Sequence, residues 1–279
     1  MRNLEIDLQE IDPSVMLPYW DWSVDSQDPL AASIFDPEYF GMTLGGDCNW
    51  EVTEPFDHCV VRNYNQDNFG TFHSSRTLRS IIRGRTDYDR FRVLIEGNPH
   101  GTVHVLIGGR GGDMSAMQSP NDPIFYLHHG FIDKLWADRQ SSRRYRNQYD
   151  GRFNGSEVSL DDVMRPFGTT VGDVMRTTNL CYRYMPYSGR TSPSGLEILP
   201  EYENAEKELK VPAPLPEEWI SMSNLSAEQV RSDAAALNSI MTGDELPVID
   251  MQNQDNAGSL IKPSAWTIIA MLALIFVSL

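Results

Sequence analysis

Apolar residues recur three and four positions apart in several stretches of the chain, which is the spacing of a helix that buries one face. In the first stretch, Leu4, Leu8 and Ile11 fall on one stripe. Residues 28–68 are rich in Gly, Pro, Asp and Asn and show no sustained period, so they are predicted to form long surface loops. We predict helices over Arg2–Ile11, Ser75–Arg83, and residues 86–97, 99–108, 123–139 and 226–241.

Capping residues mark where these helices begin and end. Thr86 and Ser226 each open a capping-box pattern, in which a side-chain oxygen accepts a hydrogen bond from a backbone N–H of the first turn. Asp122 suits the N-cap and Pro123 the first turn of a later helix, because proline has no N–H to leave unpaired. Gly97 is predicted to end the third helix. The pattern as a whole predicts a mainly α protein.

Length and charge limit the classes of function. The 279 residues suffice for one sizeable core and a tail. The chain carries 39 acidic against 23 basic residues, a net charge of −16, which argues against a nucleic-acid partner because such binding relies on Lys and Arg against phosphates. Changes in composition predict three segments: a core over residues 1–184, an acidic, Pro- and Glu-rich linker with a short helix over 185–264, and an apolar end over 265–279.

Residues 265–279 are uncharged and mostly apolar. A spanning helix needs roughly 20 residues, so this stretch is short for one. It follows a polar spacer and small residues, which favours a lipid-anchor signal of the GPI type over a short transmembrane anchor or a buried helix. We therefore expect a protein of the secretory pathway, extracellular or at the cell surface, that is attached to the membrane through its C-terminal tail.

The three cysteines fit the same compartment. Cys48 and Cys59 flank a short loop and can pair as a disulfide in an exported protein, while Cys181 is left over. Their spacing resembles no zinc knuckle, so we expect no metal role for the thiols.

Four of the six histidines lie between residues 98 and 136. His100 and His104 are four positions apart, so on a helix both imidazoles leave the same face. The adjacent pair His128 and His129 lies on a second predicted helix, which can bring a third imidazole to the same point. Neutral imidazole is a ligand for copper, zinc, iron and nickel, so these residues are candidate metal ligands.

The order of residues around these histidines is more specific than their spacing. H-x3-H followed by a glycine pair, and then N-D-P-x-F-x-L-H-H-x-x-x-D-x-x-W, resembles the second copper half-site of the tyrosinase family, which includes catechol oxidases and the related molluscan haemocyanins. The resemblance implies that His100, His104 and His129 bind one copper ion. It also implies that His128 is a non-ligand neighbour facing the substrate, and that Asp133 is a carboxylate orienting an imidazole through its other nitrogen.

Two further motifs support the resemblance. P-Y-W-D-W at residues 18–22 is similar to the family motif that follows the helix carrying the last ligand of the first copper. Tyr182-Arg183-Tyr184 resembles the tyrosine motif that closes the catalytic core. The fold implied is a type 3 copper helical bundle, embedded in long loops, of which this chain holds the second half.

The activity that the resemblance implies is copper-dependent oxidation of phenols and ortho-diphenols to ortho-quinones with O2 as the co-substrate. Glu96 matches a position where a carboxylate holds a water near the second copper, and an ordinary acidic residue at a helix end is an equally weighted interpretation. Gly101 stands where monophenol-hydroxylating members often have Asn, and Val105 follows the second ligand. This departure favours oxidation of ortho-diphenols.

The ligands of the first copper are not found in the sequence. The family needs six imidazoles for a pair of copper ions, and no histidine precedes His58. We expect an N-terminally incomplete tyrosinase that binds one copper ion and has impaired activity. The alternatives are a haemocyanin-like oxygen carrier and a non-catalytic anchored protein with a single site for copper or zinc.

Overall fold

The computed structural model describes residues 1–41, 48, 50–53, 57–153, 155–165, 167–185 and 209–243. Its helices are α1 Arg2–Ile11, α2 Ser75–Arg83, α3 Tyr88–Ile95, α4 Gly101–Gly108, α5 Ile124–Gln140, α6 Val171–Val174, α7 Glu217–Ser223 and α8 Ala227–Thr242. Antiparallel two-residue strands pair as β1 Glu51–Val52 with β2 His58–Cys59, β3 Arg152–Phe153 with β4 Ser156–Glu157, and β5 Val163–Met164 with β6 Thr169–Thr170. The prediction of a mainly α fold is confirmed.

Buried apolar side chains hold helices α2 to α5 together. Each fully buried Leu, Ile or Phe stabilises the fold by about 1.5–3 kcal/mol relative to an exposed one. Because these residues come from every one of the four helices and from the loops before them, the core fixes the helices that carry the histidines. Among its most deeply buried members are Trp22, Phe72, Leu78, Leu94, Ile95, Val103, Ile107, Ile124, Phe131 and Leu135.

The start of α3 lies one residue later than the sequence predicts. Asp87 is the N-cap, and its Oδ1 atom accepts a hydrogen bond of 2.8 Å from the Arg90 backbone N–H. The predicted cap, Thr86, has its hydroxyl engaged elsewhere, because Arg139 donates to its Oγ1 atom at 2.9 Å. A contact from a residue far along the chain therefore decides the position of the cap.

The prediction that Gly97 ends a helix is wrong. Helix α3 continues through a single π-helical turn, Glu96–His100, directly into α4, with Pro99 inside the turn. A wider turn accommodates a proline, which lacks the N–H of a regular helix and crowds the preceding turn. A Cβ atom added to Gly97 would lie 3.1 Å from Leu225 Cδ1 and 3.1 Å from Val230 Cγ2. The glycine therefore allows the start of α8 to approach closely.

A buried ion pair connects the loops before α2 to the start of α5. Arg62 donates to both carboxylate oxygens of Asp122, at 2.6 and 2.8 Å, and both side chains are fully buried. Asp122 also accepts from the Ile124 N–H at 2.9 Å. Helix α5 begins at Ile124 with Pro123 as its N-cap, one residue later than the sequence predicts. Removing one partner of such a pair costs about 3–5 kcal/mol, because the other charge stays buried without compensation.

Part of the segment predicted as a linker with a short helix lies within the described residues. Residues 209–243 contain α7 and α8, and Ser226 is the N-cap of α8 as predicted. Leu237 and Ile240 of α8 enter the main core. Asp233 of the same helix forms an ion pair with Arg90 of α3. These two helices therefore pack on the bundle.

Two predictions remain, one for the apolar end of the chain and one for the three cysteines. Residues 265–279 lie outside the described residues, and none of the described helices is long and apolar enough to cross a membrane. Cys48 and Cys59 are joined by a disulfide, with their Cα atoms 5.4 Å apart. Cys181 is an exposed free thiol.

Candidate metal centre

Four imidazoles meet between two helical segments. The π-turn and α4 carry His100 and His104, and α5 carries His128 and His129. One ring nitrogen from each of the four lies within 4.8 Å of the others. All four side chains are buried. The structure thus brings together every histidine that the sequence placed at a metal site.

The ring of His104 has a defined orientation. Its Nδ1 atom lies 2.7 Å from the carbonyl oxygen of Met114, which can only accept, so Nδ1 carries the proton. The lone pair of His104 is therefore on Nε2, which lies 3.0 Å from Nε2 of His129. Two imidazole nitrogens that share one ion at roughly 2.0–2.1 Å lie about 3 Å apart, so this separation fits a common metal.

Several ring nitrogens in the cluster lack a protein partner. Among the described residues, Nδ1 of His100, Nε2 of His128 and Nδ1 of His129 are buried without a hydrogen bond. Leaving a buried polar atom unsatisfied costs about 1–3 kcal/mol. Buried imidazole nitrogens are ligands that a first-row transition metal prefers, so the residues present fit a copper ion.

Burial also keeps these imidazoles in the form that binds metals. Desolvation lowers the pKa of His100 to about 4, and lowers the pKa values of His104, His128 and His129 well below the usual value, helped by repulsion between the rings. All four are neutral at pH 7 as a result. Neutral imidazole has the lone pair that coordination requires.

Glu96 lies beside the cluster. Its Oε2 atom is 3.7 Å from Nδ1 of His100, beyond hydrogen-bond distance, and has no hydrogen-bond partner in the described part of the chain. Desolvation raises the pKa of this carboxyl to about 7, against an opposing effect of the Arg92 charge. A buried carboxyl with a pKa near neutrality can both hold and accept a proton at physiological pH.

Asp133 contacts different groups from those expected. It is buried one turn after His129, and its Oδ2 atom accepts hydrogen bonds from the hydroxyls of Tyr182, at 2.7 Å, and Tyr184. The carbonyl of Met114, rather than this carboxylate, orients an imidazole of the cluster. The tyrosines lie 49 and 51 residues further along the chain, so their competition for the carboxylate was not visible in the local pattern.

Aromatic rings enclose the cluster on two sides. Phe125 stacks on His129 with ring centroids 3.9 Å apart. Trp219 of α7 stacks on His104 at 5.0 Å and lies 6.1 Å from His100. Trp219 is not predicted from the sequence, because a single tryptophan after a Pro-rich stretch carries no signal that it reaches the histidines.

Gly101 leaves the space that Trp219 fills. A Cβ atom at this position would lie 2.4 Å from the indole Nε1 atom and 3.1 Å from Leu215 Cδ1. That Nε1 atom is buried and has no hydrogen-bond partner among the described residues. Val105, the other position singled out beside a ligand, is half-buried on α4.

The two remaining histidines lie outside the cluster. His58 Nε2 is 2.7 Å from Asp113 Oδ1, as expected for a hydrogen-bonded histidine. His73 is fully buried, and desolvation lowers its pKa to about 3. Its Nδ1 atom is buried without a hydrogen-bond partner among the described residues.

Comparisons with known proteins agree with this geometry. Residues 41–142 match the common central domain of tyrosinase. The chain is 33% identical over 199 residues to a tyrosinase of Streptomyces glaucescens, covering 61% of this chain and 70% of that protein. A tyrosinase of Streptomyces antibioticus is 31% identical over 196 residues, with the same coverage of 61% and 70%.

A solved structure is similar in fold. The G292N mutant of a polyphenol oxidase from Thermothelomyces thermophila superposes with a TM-score of 0.50 at 21% identity, covering 65% of this chain and 69% of that one. Tyrosinases bind copper, and the four buried histidines fit a copper site. The chain therefore belongs to the tyrosinase family of copper-dependent phenol oxidases.

Proposed function

We propose that this chain binds one copper ion through His100, His104 and His129 and takes part in oxidising phenols, ortho-diphenols above all, to ortho-quinones with O2. The observation that carries the proposal is the convergence of four buried, neutral imidazoles within 4.8 Å in a member of the tyrosinase family. When bound there, copper supplies one-electron redox chemistry towards O2 and a phenol.

The protein's own residues prepare the site for that chemistry. The helices hold the imidazoles at fixed positions, and the Met114 carbonyl presents the lone pair of His104 to the ion. Phe125 and Trp219 exclude water and offer flat surfaces to an aromatic ring. We propose that Glu96 accepts the phenolic proton at Oε2, because its pKa of about 7 matches a general base at neutral pH.

The number of histidines sets an upper limit on copper binding. The sequence contains six, and His58 and His73 lie outside the cluster. We therefore propose that the 279 residues bind one copper ion and turn over catechol slowly, because the type 3 reaction uses a pair of ions with three imidazoles each.

Copper content and catechol oxidation of the purified chain test the proposal. We expect about one tightly held copper ion per chain by atomic emission, and its loss in His104→Ala and His129→Ala. His58→Ala is the matched control, since its imidazole is bonded to Asp113 outside the cluster. Two tightly held ions per chain would contradict the one-copper proposal, and a copper-loaded chain that forms no quinone would favour a non-catalytic single-site protein.

We also propose that the protein matures in the secretory pathway and is held at a membrane through residues 265–279. The Cys48–Cys59 disulfide supports the first part, because disulfides persist in oxidising compartments. The uncharged, apolar composition of the end of the sequence supports the second. Fractionation of source cells tests both parts, and release of the protein by a phosphatidylinositol-specific phospholipase would identify a GPI anchor.

A further inference from the structure

A tryptophan of the P-Y-W-D-W segment contacts the histidine cluster directly. The indole Nε1 atom of Trp22 donates a hydrogen bond to Nδ1 of His128 at 3.1 Å, and both side chains are fully buried. An indole N–H can only donate, so Nδ1 of His128 must carry a lone pair. An uncoordinated imidazole keeps at least one ring proton, and His128 has none on Nδ1. Its proton is therefore on Nε2.

This tautomer determines what His128 can do. An imidazole nitrogen that carries a proton has no lone pair to give to a metal. Among the described residues, Nε2 of His128 has no hydrogen-bond partner, although it is buried beside three other imidazoles. It is consequently a free N–H donor inside the site. His104 shows the opposite arrangement, because a carbonyl acceptor holds its proton on Nδ1 and leaves Nε2 available as a ligand.

We infer that Trp22 is a positioning residue that keeps His128 out of the copper coordination sphere and directs its Nε2–H towards the anionic oxygen of a bound phenol. The inference rests on the proposed function, and it explains why four imidazoles converge where three bind the ion. The bond from Trp22 thus selects the ligand set, and the tautomer it fixes supplies a donor for the substrate.

Packing in the core holds the indole of Trp22 in the orientation that donates to His128. Its ring meets Phe131 edge-to-face at 5.1 Å and 87°, and meets Phe72 at 5.9 Å and 71°. Both phenylalanines are buried in the main core. Turning the indole away from His128 would require these rings to move, so the hydrogen bond is enforced by close packing.

The decisive variant is Trp22→Phe, which keeps an aromatic ring and removes the N–H. Without that donor, His128 can shift its proton to Nδ1 and offer Nε2 to copper. Pulsed electron paramagnetic resonance of the Cu(II)-loaded chain counts coordinated imidazoles, and we expect three in the wild type and four in Trp22→Phe. The double variant Trp22→Phe/His128→Gln should return the count to three.

Trp20→Phe is the matched control. Trp20 is buried in the same core, also packs on Phe72, and donates its own indole hydrogen bond to Asp25 at 2.9 Å. Its loss should leave the imidazole count at three. A count of four in the wild type, or the same count in the wild type and Trp22→Phe, would overturn the inference.

A metal-free measurement keeps the inference testable even if Trp22→Phe fails to fold. Long-range 1H–15N correlation of the copper-free wild-type chain reports the tautomer of each histidine, and we expect the Nε2–H form at His128 and the Nδ1–H form at His104. An Nδ1–H signal at His128 would refute the inference whatever the copper content. Absence of copper binding together with the expected tautomers would refute the proposed function alone.

Discussion

The histidine cluster is enclosed by two walls of different character. The core wall consists of Trp22, Met114 and Phe125, and the C-terminal wall consists of Leu215 and Trp219. The core wall contacts the imidazoles through oriented hydrogen bonds as well as ring packing. In the C-terminal wall, Trp219 contacts the imidazoles through ring packing, and its indole N–H has no hydrogen-bond partner among the described residues.

The two kinds of contact give the two walls different roles at the site. Oriented hydrogen bonds fix which nitrogen carries a proton, so the core wall defines the ligand set. Packing alone imposes no such choice, so the C-terminal wall decides how much space remains beside His100 and His104. The core wall belongs to the bundle itself, whereas the C-terminal wall is held by α8, through the Arg90–Asp233 pair and buried apolar contacts.

Removing an imidazole held by the core wall should have the largest effect. His104→Ala deletes a nitrogen that the Met114 carbonyl directs into the cluster. Loss of a residue that merely orients a ligand weakens metal affinity about 10–100-fold, so loss of the ligand should weaken copper binding by more than about 100-fold. Competition with a chelator measures the change, and an affinity within tenfold of the wild type would show that His104 is not a ligand.

Loosening the C-terminal wall should leave the core wall in place. Leu237 of α8 is fully buried in the main core, and Leu237→Ala should destabilise the chain by about 3 kcal/mol through lost burial and the remaining cavity. Hydrogen exchange should rise in α7 and α8 before it rises in α5. Met222→Ala is the control, because that side chain is 41% exposed on α7. If hydrogen exchange rose equally in α5 and α8, the two walls would form one cooperative unit.

Acid should lower the free energy of unfolding through a histidine in the core behind the core wall. His73 follows Phe72 there, and burial lowers its pKa from about 6.5 unfolded to about 3 folded. Below pH 6.5 the unfolded chain binds a proton that the folded chain does not, so its contribution to stability is full above pH 6.5 and declines as the pH falls towards 3. Between pH 8 and pH 5 the free energy of unfolding should drop by about 2 kcal/mol from this residue. His73→Leu should reduce the drop in denaturant titrations by that amount, and an unchanged pH dependence would contradict the assignment.

A further effect should come from the contact between Gly101 and Trp219. Gly101→Ala puts a Cβ atom 2.4 Å from the Trp219 indole, and overpacking of this kind costs about 1–3 kcal/mol. In a Trp219→Ala background the same change should stabilise the chain by roughly 0.5–1 kcal/mol, because alanine favours a helix over glycine. Thermal unfolding of the four chains gives both values. An effect of the same sign in both backgrounds would exclude a contact between positions 101 and 219.

The histidine cluster could be foreseen from the sequence, and the C-terminal wall could not. Helix α2 has the predicted bounds, because local spacing and its stop at Gly84 determine them. The four histidines are close in sequence and stand in a motif with a known arrangement. Trp219 contacts His100 and His104 from more than 100 positions further along the chain, after a Pro- and Glu-rich stretch that has the composition of a linker.

The predictions for Gly97 and Asp133 were wrong for the same reason. Gly97 matches a helix stop, but its lack of a side chain serves the approach of Leu225 and Val230. Asp133 matches a partner for an imidazole, but two distant tyrosines occupy its carboxylate. Local patterns state what a residue can do, and tertiary neighbours select which of those possibilities is used.

The Arg62–Asp122 pair has a consequence for how the histidines of α5 are held. Asp122 accepts a hydrogen bond from the Ile124 N–H at the start of α5 and at the same time neutralises Arg62, which also donates to the Gly41 carbonyl at 2.6 Å. The helix that presents His128 and His129 is therefore tied at its first turn to the loops before α2. A change in those loops can thus reach the candidate metal centre through the position of α5.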